Sequence, residues 1–289
     1  MGNLRLFVAC VAIWGTTWLA IKYQLGRVAP EASVSYRFFT ASMLIAGYCR
    51  LRRLSLAFTA RQHLWIATFG VLMFGVSYVC VYYAEQHVVS GLVAVGYSAS
   101  PLLGALGMRF FFGTRITHRV ALGSFMGILG IALVFWPEFA KLKGDSDTAV
   151  GAALTVAAVL LSALGTLTAH RNNQAGLPLW QTMAWGMFYG SMFSLATALV
   201  IGKPLDFELT PGYVLSLAYL AILGSVMAFA AYLTLVKNVG TARASYTGVM
   251  VPIVALVVSA AFEGFHWHPL TWLGIAVSVA GNVIILRRR

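Results

Sequence analysis

The side chains of this sequence that are able to do chemistry are hydroxyls, phenols and indoles set inside long apolar runs. Trp14, Thr17 and Trp18 are spaced i, i+3, i+4 and share one helical face. Tyr78 and Tyr82 share another, as do Ser162 and Thr166. Tyr97 and Ser98 sit one turn before Pro101, and Ser245 and Tyr246 precede Pro252. Groups of this kind hold a small polar solute by hydrogen bonds and ring faces; they do not form a nucleophile and base. Each also has an ordinary use. Trp and Tyr at the ends of membrane spans anchor at the lipid boundary, the favoured reading for Trp18, while Tyr82 suits either use; Ser and Thr in such spans bond backbone or pack. Trp14 and Tyr78 lie deeper than that boundary.

Arg37 is the one formally charged residue well inside an apolar run, about 10 Å beyond Pro30 at 1.5 Å per residue. It suits a substrate carboxylate, but a structural role bonding carbonyls or snorkelling outward is the favoured reading. No Asp or Glu stands in the middle of a run, and the histidines, His63, His87, His118, His170, His266 and His268, lie at or near run ends. His266-Trp-His268 has no carboxylate or thiol beside it, so no metal site and no cofactor is expected. The sequence has no H-E-x-x-H and no G-x-x-x-x-G-K-[ST] loop, which argues against a membrane-embedded enzyme and against ATP-driven work. Cys10, Cys49 and Cys80 read as small apolar packing residues.

These residues need elements to carry them, and composition says what those are. Hydrophobic residues make up 60% of the 289 and charged ones 10%, so a bilayer is the natural solvent. A spanning helix takes roughly 20 mostly apolar residues. Runs of that kind fall at about 4–22, 30–50, 62–84, 88–112, 119–136, 149–170, 178–200, 211–235, 241–262 and 268–286. Most prolines punctuate them, whereas Pro101 and Pro252 stand inside the fourth and ninth. The first run has no small-residue cleavage site after it and reads as a retained span.

Ten spans put both termini on one side. Sorted by loop, fourteen of the 20 Lys and Arg fall on the terminal side and five on the other, so the positive-inside rule places both termini in the cytoplasm. All 8 acids fall on the outer side. The net charge of +12 is thus an orientation signal, and nucleic-acid binding is not expected. The widest interruption, 138–148, divides the chain into 1–137 and 149–289, five spans each, which forces the second half to be inserted upside down. An offset of 151 relates Pro101 to Pro252, Gly123 to Gly274 and Gly130 to Gly281. Inverted repeats typify transporters, with the site near the midplane between them. The stripe Gly123, Gly127 and Gly130 suits close helix packing.

With those positions in view, the chain resembles the EamA type of the drug/metabolite transporter superfamily over essentially its whole length. The matching stretches are Ile13-Trp14-Gly15-Thr16-Thr17 with Ala20-Ile21-Lys22, then Tyr36-Arg37-Phe38-Phe39. Further on come Gly91-Leu92 through Ser100-Pro101, Leu122-Gly123 through Gly130, Tyr246 to Pro252, Phe262-Glu263-Gly264-Phe265, and Leu273-Gly274 through Gly281-Asn282. One departure is Thr114, where the family usually has Glu after Gly113. The resemblance implies an all-α bundle of ten helices around a cavity lined by spans 1, 3, 4, 6, 8 and 9. It also implies export of amino acids or related metabolites, with drugs or nucleoside-like compounds as the alternative cargo. The expected setting is a monomer in a bacterial inner membrane, working without ATP. Without a midplane acid, facilitated diffusion or exchange is expected rather than tight proton coupling; Glu85 and Glu263 are the remaining candidates for coupling. Pro101 and Pro252 are expected to act as pivots.

Overall fold

The computed structural model describes residues 2–286 except 114, 116, 142–146 and 240–245, and omits the side chains of 101, 138–141, 233, 236, 237, 246, 249, 285 and 286. Ser245 and the Tyr246 side chain, two of the expected site groups, lie outside the described residues.

Among the described residues every regular element is helical. In order they are α1 (Asn3–Lys22), α2 (Pro30–Leu51), α3 (Ala60–His87), α4 (Ser90–Phe112), α5 (His118–Lys141), α6 (Asp147–Gln174) and α7 (Leu179–Val200). Then come α8, running unbroken through Pro211–Ala218, Tyr219–Met227 and Ala228–Val239, α9 (Tyr246–Phe262) and α10 (Pro269–Leu286). Seven described segments are long and apolar enough to cross a membrane: α1, α3, α4, α6 and α7, with His118–Pro137 of α5 and Pro211–Tyr232 of α8. Met250–Phe262 and Pro269–Ile284 are shorter apolar helices. In α2, Glu31, Arg37 and the serines 33, 35 and 42 lower the apolarity, and all of them are buried in the bundle.

Local chemistry sets the helix ends. Pro30 and Pro211 occupy first-turn positions, where a missing N–H costs nothing. Thr59 and Gln62 close a capping box on α3. Gly113 ends α4 at φ 69°, a left-handed conformation that a β-carbon disfavours. Several helices reach beyond their apolar runs: α5 continues through Pro137 to Lys141, α6 already begins at Asp147, and α8 continues to Val239.

The most extensive pairings are α5 with α10 and α3 with α6, followed by α2 with α7, α3 with α7, and α1 with α8 and α9. Glycine decides the first. A β-carbon on Gly130 would lie 2.5 Å from the carbonyl oxygen of Gly274, and the reverse holds at 2.5 Å. Gly281 meets Gly123 in the same way. The later residue of α5 faces the earlier of α10, so the two helices run antiparallel, and their small-residue stripes are used against each other within one chain.

Two helices contain wide turns. Val71–Val76 in α3 and Tyr219–Met227 in α8 are π-helical, an irregularity frequent at functional sites. The two internal prolines behave differently. Ahead of Pro101 the backbone tightens into a 3-10 turn over Tyr97–Ala99, whereas α9 continues unbroken through Pro252.

Candidate functional site

The π segment of α8 is a meeting point. Trp14 of α1 donates its indole N–H to the carbonyl of Gly224 at 3.1 Å, and its ring packs on Phe229 and Tyr232 at 5.3 and 5.4 Å. Thr17, one turn along, bonds back to the carbonyl of Trp14 at 2.8 Å. Its methyl group would lie 2.8 Å from any β-carbon on Gly224, and the Arg37 Nη2 would lie 3.8 Å from it. Thr16 and Tyr219 join hydroxyls at 2.6 Å on the same seam. Only glycine leaves room for this convergence of α1, α2 and α8.

A second group surrounds the π segment of α3. The Ser77 hydroxyl meets that of Tyr97 at 3.1 Å and donates to the carbonyl of Ala158 in α6 at 2.9 Å. Tyr97 packs on Trp18 at 5.2 Å, so Trp18 faces the bundle rather than lipid. Ser162 donates to the Met73 sulfur at 3.4 Å. Tyr78 packs edge to face on Phe38 at 4.7 Å, and the Arg37 guanidinium stands 4.7 Å from its ring centre. Tyr97, Ser162 and Tyr78 are therefore gathered around one region of α3.

The remaining expected residues are placed apart. Thr166 is exposed and bonds back to the carbonyl of Ser162 at 2.9 Å. Tyr82 is fully buried and donates to Gln24 Oε1 at 2.5 Å, which makes it a core residue and not an interfacial anchor. Ser98 and Pro252 line a minute cavity with Val95, Ile275 and Asn282, between α4, α9 and α10. Among the described residues no group of His, Cys, Asp and Glu is disposed to hold a metal ion.

Where α1, α3, α4 and α9 end together, a polar seal has formed. Glu263 accepts from the Ser90 amide at 3.1 Å and from the hydroxyls of Ser90 and Ser259. Lys22 lies 3.7 Å from Glu263 and donates to the carbonyls of Glu85 at 2.5 Å and Val88 at 3.3 Å. The Gly91 amide donates to Ser259 at 2.8 Å. Lys22, Ser77, Ser90, Gly224 and Ser259 are absent from the residues expected to bind substrate. A π turn has no sequence signature, and Ser90 and Ser259 become informative only once Glu263 is seen between them.

A sequence profile of the EamA-like transporter family matches residues 2–136 and again 149–287. The chain belongs to the EamA-like transporter family. Among its relatives is the uncharacterized inner membrane transporter YedA of Escherichia coli, 28% identical over 98% of this chain and 90% of that protein. Another, from Streptantibioticus cattleyicolor, is a probable terminal-alkyne amino-acid exporter, 28% identical over 97% of this chain and 92% of its own length. A solved crystal structure superposes with a TM-score of 0.71 at 15% identity, covering 98% of this chain and 95% of that one, and so shares the fold. As a membrane transporter, this EamA-like protein works in a lipid bilayer on a small-molecule substrate.

Proposed function

We propose that this transporter exports amino acids or related small polar metabolites across a bacterial inner membrane, by alternating access and without ATP. In this reading α2, α9 and α10 span as well, giving ten helices in two halves, 1–137 and 149–289, inserted in opposite senses with both termini cytoplasmic. Three features support the duplication. The profile match occurs twice. The π segments fall in α3 and α8, which correspond under the offset of 151. The contacts of Gly130 with Gly274 and of Gly281 with Gly123 exchange with each other under that same offset.

The observation that carries the functional reading is the hydrogen bond from Trp14, in one half, to Gly224, at the π turn of the other. In this reading Trp14 and Thr17 at that bond, Tyr78, Tyr97 and Ser162 around α3, and Ser98 farther along α4 supply ring faces and polar atoms inside the bundle. Lipid-facing placement of such groups is costly, whereas lining a wet pathway is not. The relative named as an amino-acid exporter favours the same substrate class. On this account Pro101 and Pro252 flank the pathway as pivots, Arg37 lies beside it, and Tyr82, Thr166, Ser245 and Tyr246 contribute from its margins.

The test is uptake of labelled proteinogenic L-amino acids by sealed vesicles containing the purified protein, with Tyr78→Ala as control. Uptake that Tyr78→Ala lowers about tenfold or more, the scale of one lost ring contact and its hydroxyl, agrees with the reading. Uptake of drugs or nucleosides alone would replace amino acids as the cargo.

A further inference from the structure

Four charged side chains are drawn into the bundle where α1, α2, α3 and α9 converge: Lys22, Arg37, Glu85 and Glu263. Two of them answer each other. Lys22 stands 3.7 Å from Glu263, whose carboxylate also receives Ser90 and Ser259. Arg37 and Glu85 each keep buried polar atoms without a partner among the described residues.

Arg37 is 2% exposed, and neither its Nε nor its Nη1 has a hydrogen-bond partner among the described residues. It rests against the rings of Phe38 and Tyr78, at 4.9 and 4.7 Å. Ring faces attract the cation but leave its in-plane donors unused. Glu85 is 0% exposed, and both of its carboxylate oxygens are without a partner. The charges acting on it are those of Lys22, Glu263 and Arg37. Glu31, the other buried acid nearby, accepts from Tyr83 at 2.9 Å and sits in the first turn of α2, where the helix N-terminus favours a carboxylate. A buried ion without a partner is expensive. The region therefore holds guanidinium donors and carboxyl oxygens that are buried and unused, and these stabilise nothing by themselves.

What they complement is a molecule with one charge of each sign. We infer that Arg37 and Glu85 hold the two ends of a zwitterion, the carboxylate on the free guanidinium donors and the ammonium on Glu85. Tyr82, three residues before Glu85 on α3, lies within electrostatic reach of both positions, which places them in one neighbourhood. Tyr78, beneath the guanidinium, precedes Glu85 by seven residues, about 10 Å along the helix. The pair thus extends the aromatic group around Tyr78 toward the polar seal. The inference rests on the amino-acid reading above and sharpens it: the substrate must carry both charges, and Lys22, already committed to Glu263, does not replace Arg37.

The experiment uses sealed vesicles of the full-length protein and the labelled L-amino acid that it carries best. Two competitors are compared, the decarboxylated amine and the 2-oxo acid of that amino acid. Wild-type protein is expected to prefer the intact amino acid over each by at least about tenfold, because a site built for a polar group rejects an analogue lacking it. Arg37→Gln is expected to erase the preference over the amine alone, and Glu85→Gln the preference over the 2-oxo acid alone, with thermal unfolding confirming intact protein. Should Arg37→Gln fail to fold, Arg37→Lys takes its place, with a weakened preference over the amine expected. Folded variants that keep both wild-type preferences overturn the assignment, whether or not their total uptake falls. Wild-type vesicles that take up no amino acid refute the functional reading instead.

Discussion

Gly130 of α5 and Gly274 of α10 touch backbone to backbone, each leaving only 2.5 Å between a would-be β-carbon and the other's carbonyl oxygen. No side chain fits there without separating the helices. Gly130→Leu is expected to lower thermal stability by about 1–3 kcal/mol or more, the usual cost of overpacking. Gly104→Ala, where nothing lies within 4 Å, is expected to be neutral or slightly stabilising. Thermal unfolding of both variants in detergent checks the contrast.

The seal around Glu263 joins α1, α4 and α9, so in the proposed alternating-access cycle movement of the two halves would break it. Removing a charge-assisted bond costs about 1.5–3 kcal/mol. Glu263→Gln is therefore expected to raise labelling of a Val89→Cys reporter, beside the seal but not part of it, by an impermeant maleimide about tenfold, in a background lacking Cys10, Cys49 and Cys80. Unchanged labelling would remove the gating role from this contact.

Tyr82 serves the fold through Gln24, whose Nε2 already lacks a partner. Tyr82→Phe would strand the whole amide, at a cost of about 1–3 kcal/mol in stability. Substrate half-saturation is expected to change little, and a kinetic comparison with Tyr78→Phe separates the two roles.

Pro252 tests whether a helix that is continuous in this structure also bends in the cycle. Pro252→Ala restores a backbone donor and is expected to slow flux at normal expression. Flux at the wild-type rate would make the proline a static feature.

Much of the architecture was legible in advance because apolar runs of bilayer length leave few alternatives. The helices Pro30–Leu51, Leu179–Val200 and Pro269–Leu286 begin and end within a residue or so of the apolar runs. Gly123, Gly130, Gly274 and Gly281 were legible as packing residues, but not as one another's partners, since pairing depends on which helices meet. The site was legible in type and less so in arrangement. Trp14, Tyr78 and Tyr97 stood out as polar rings in apolar surroundings, whereas Gly224 is one small residue in an apolar stretch and acquires meaning only from the π turn. Glu85 was legible as an acid near an outer helix end and a candidate for coupling, but not as a buried group. Its complete burial arises because α1, α2 and α3 close over it, a tertiary effect that no local pattern records.

The central claim is one site offered alternately to each side by two flipped halves. Counterflow measures this directly: vesicles containing the purified protein are loaded with an unlabelled amino acid that it carries, and a trace of the labelled form is added outside. Alternating access predicts that the label rises transiently well above its level in unloaded vesicles. Uptake that is the same with and without the internal load would contradict it.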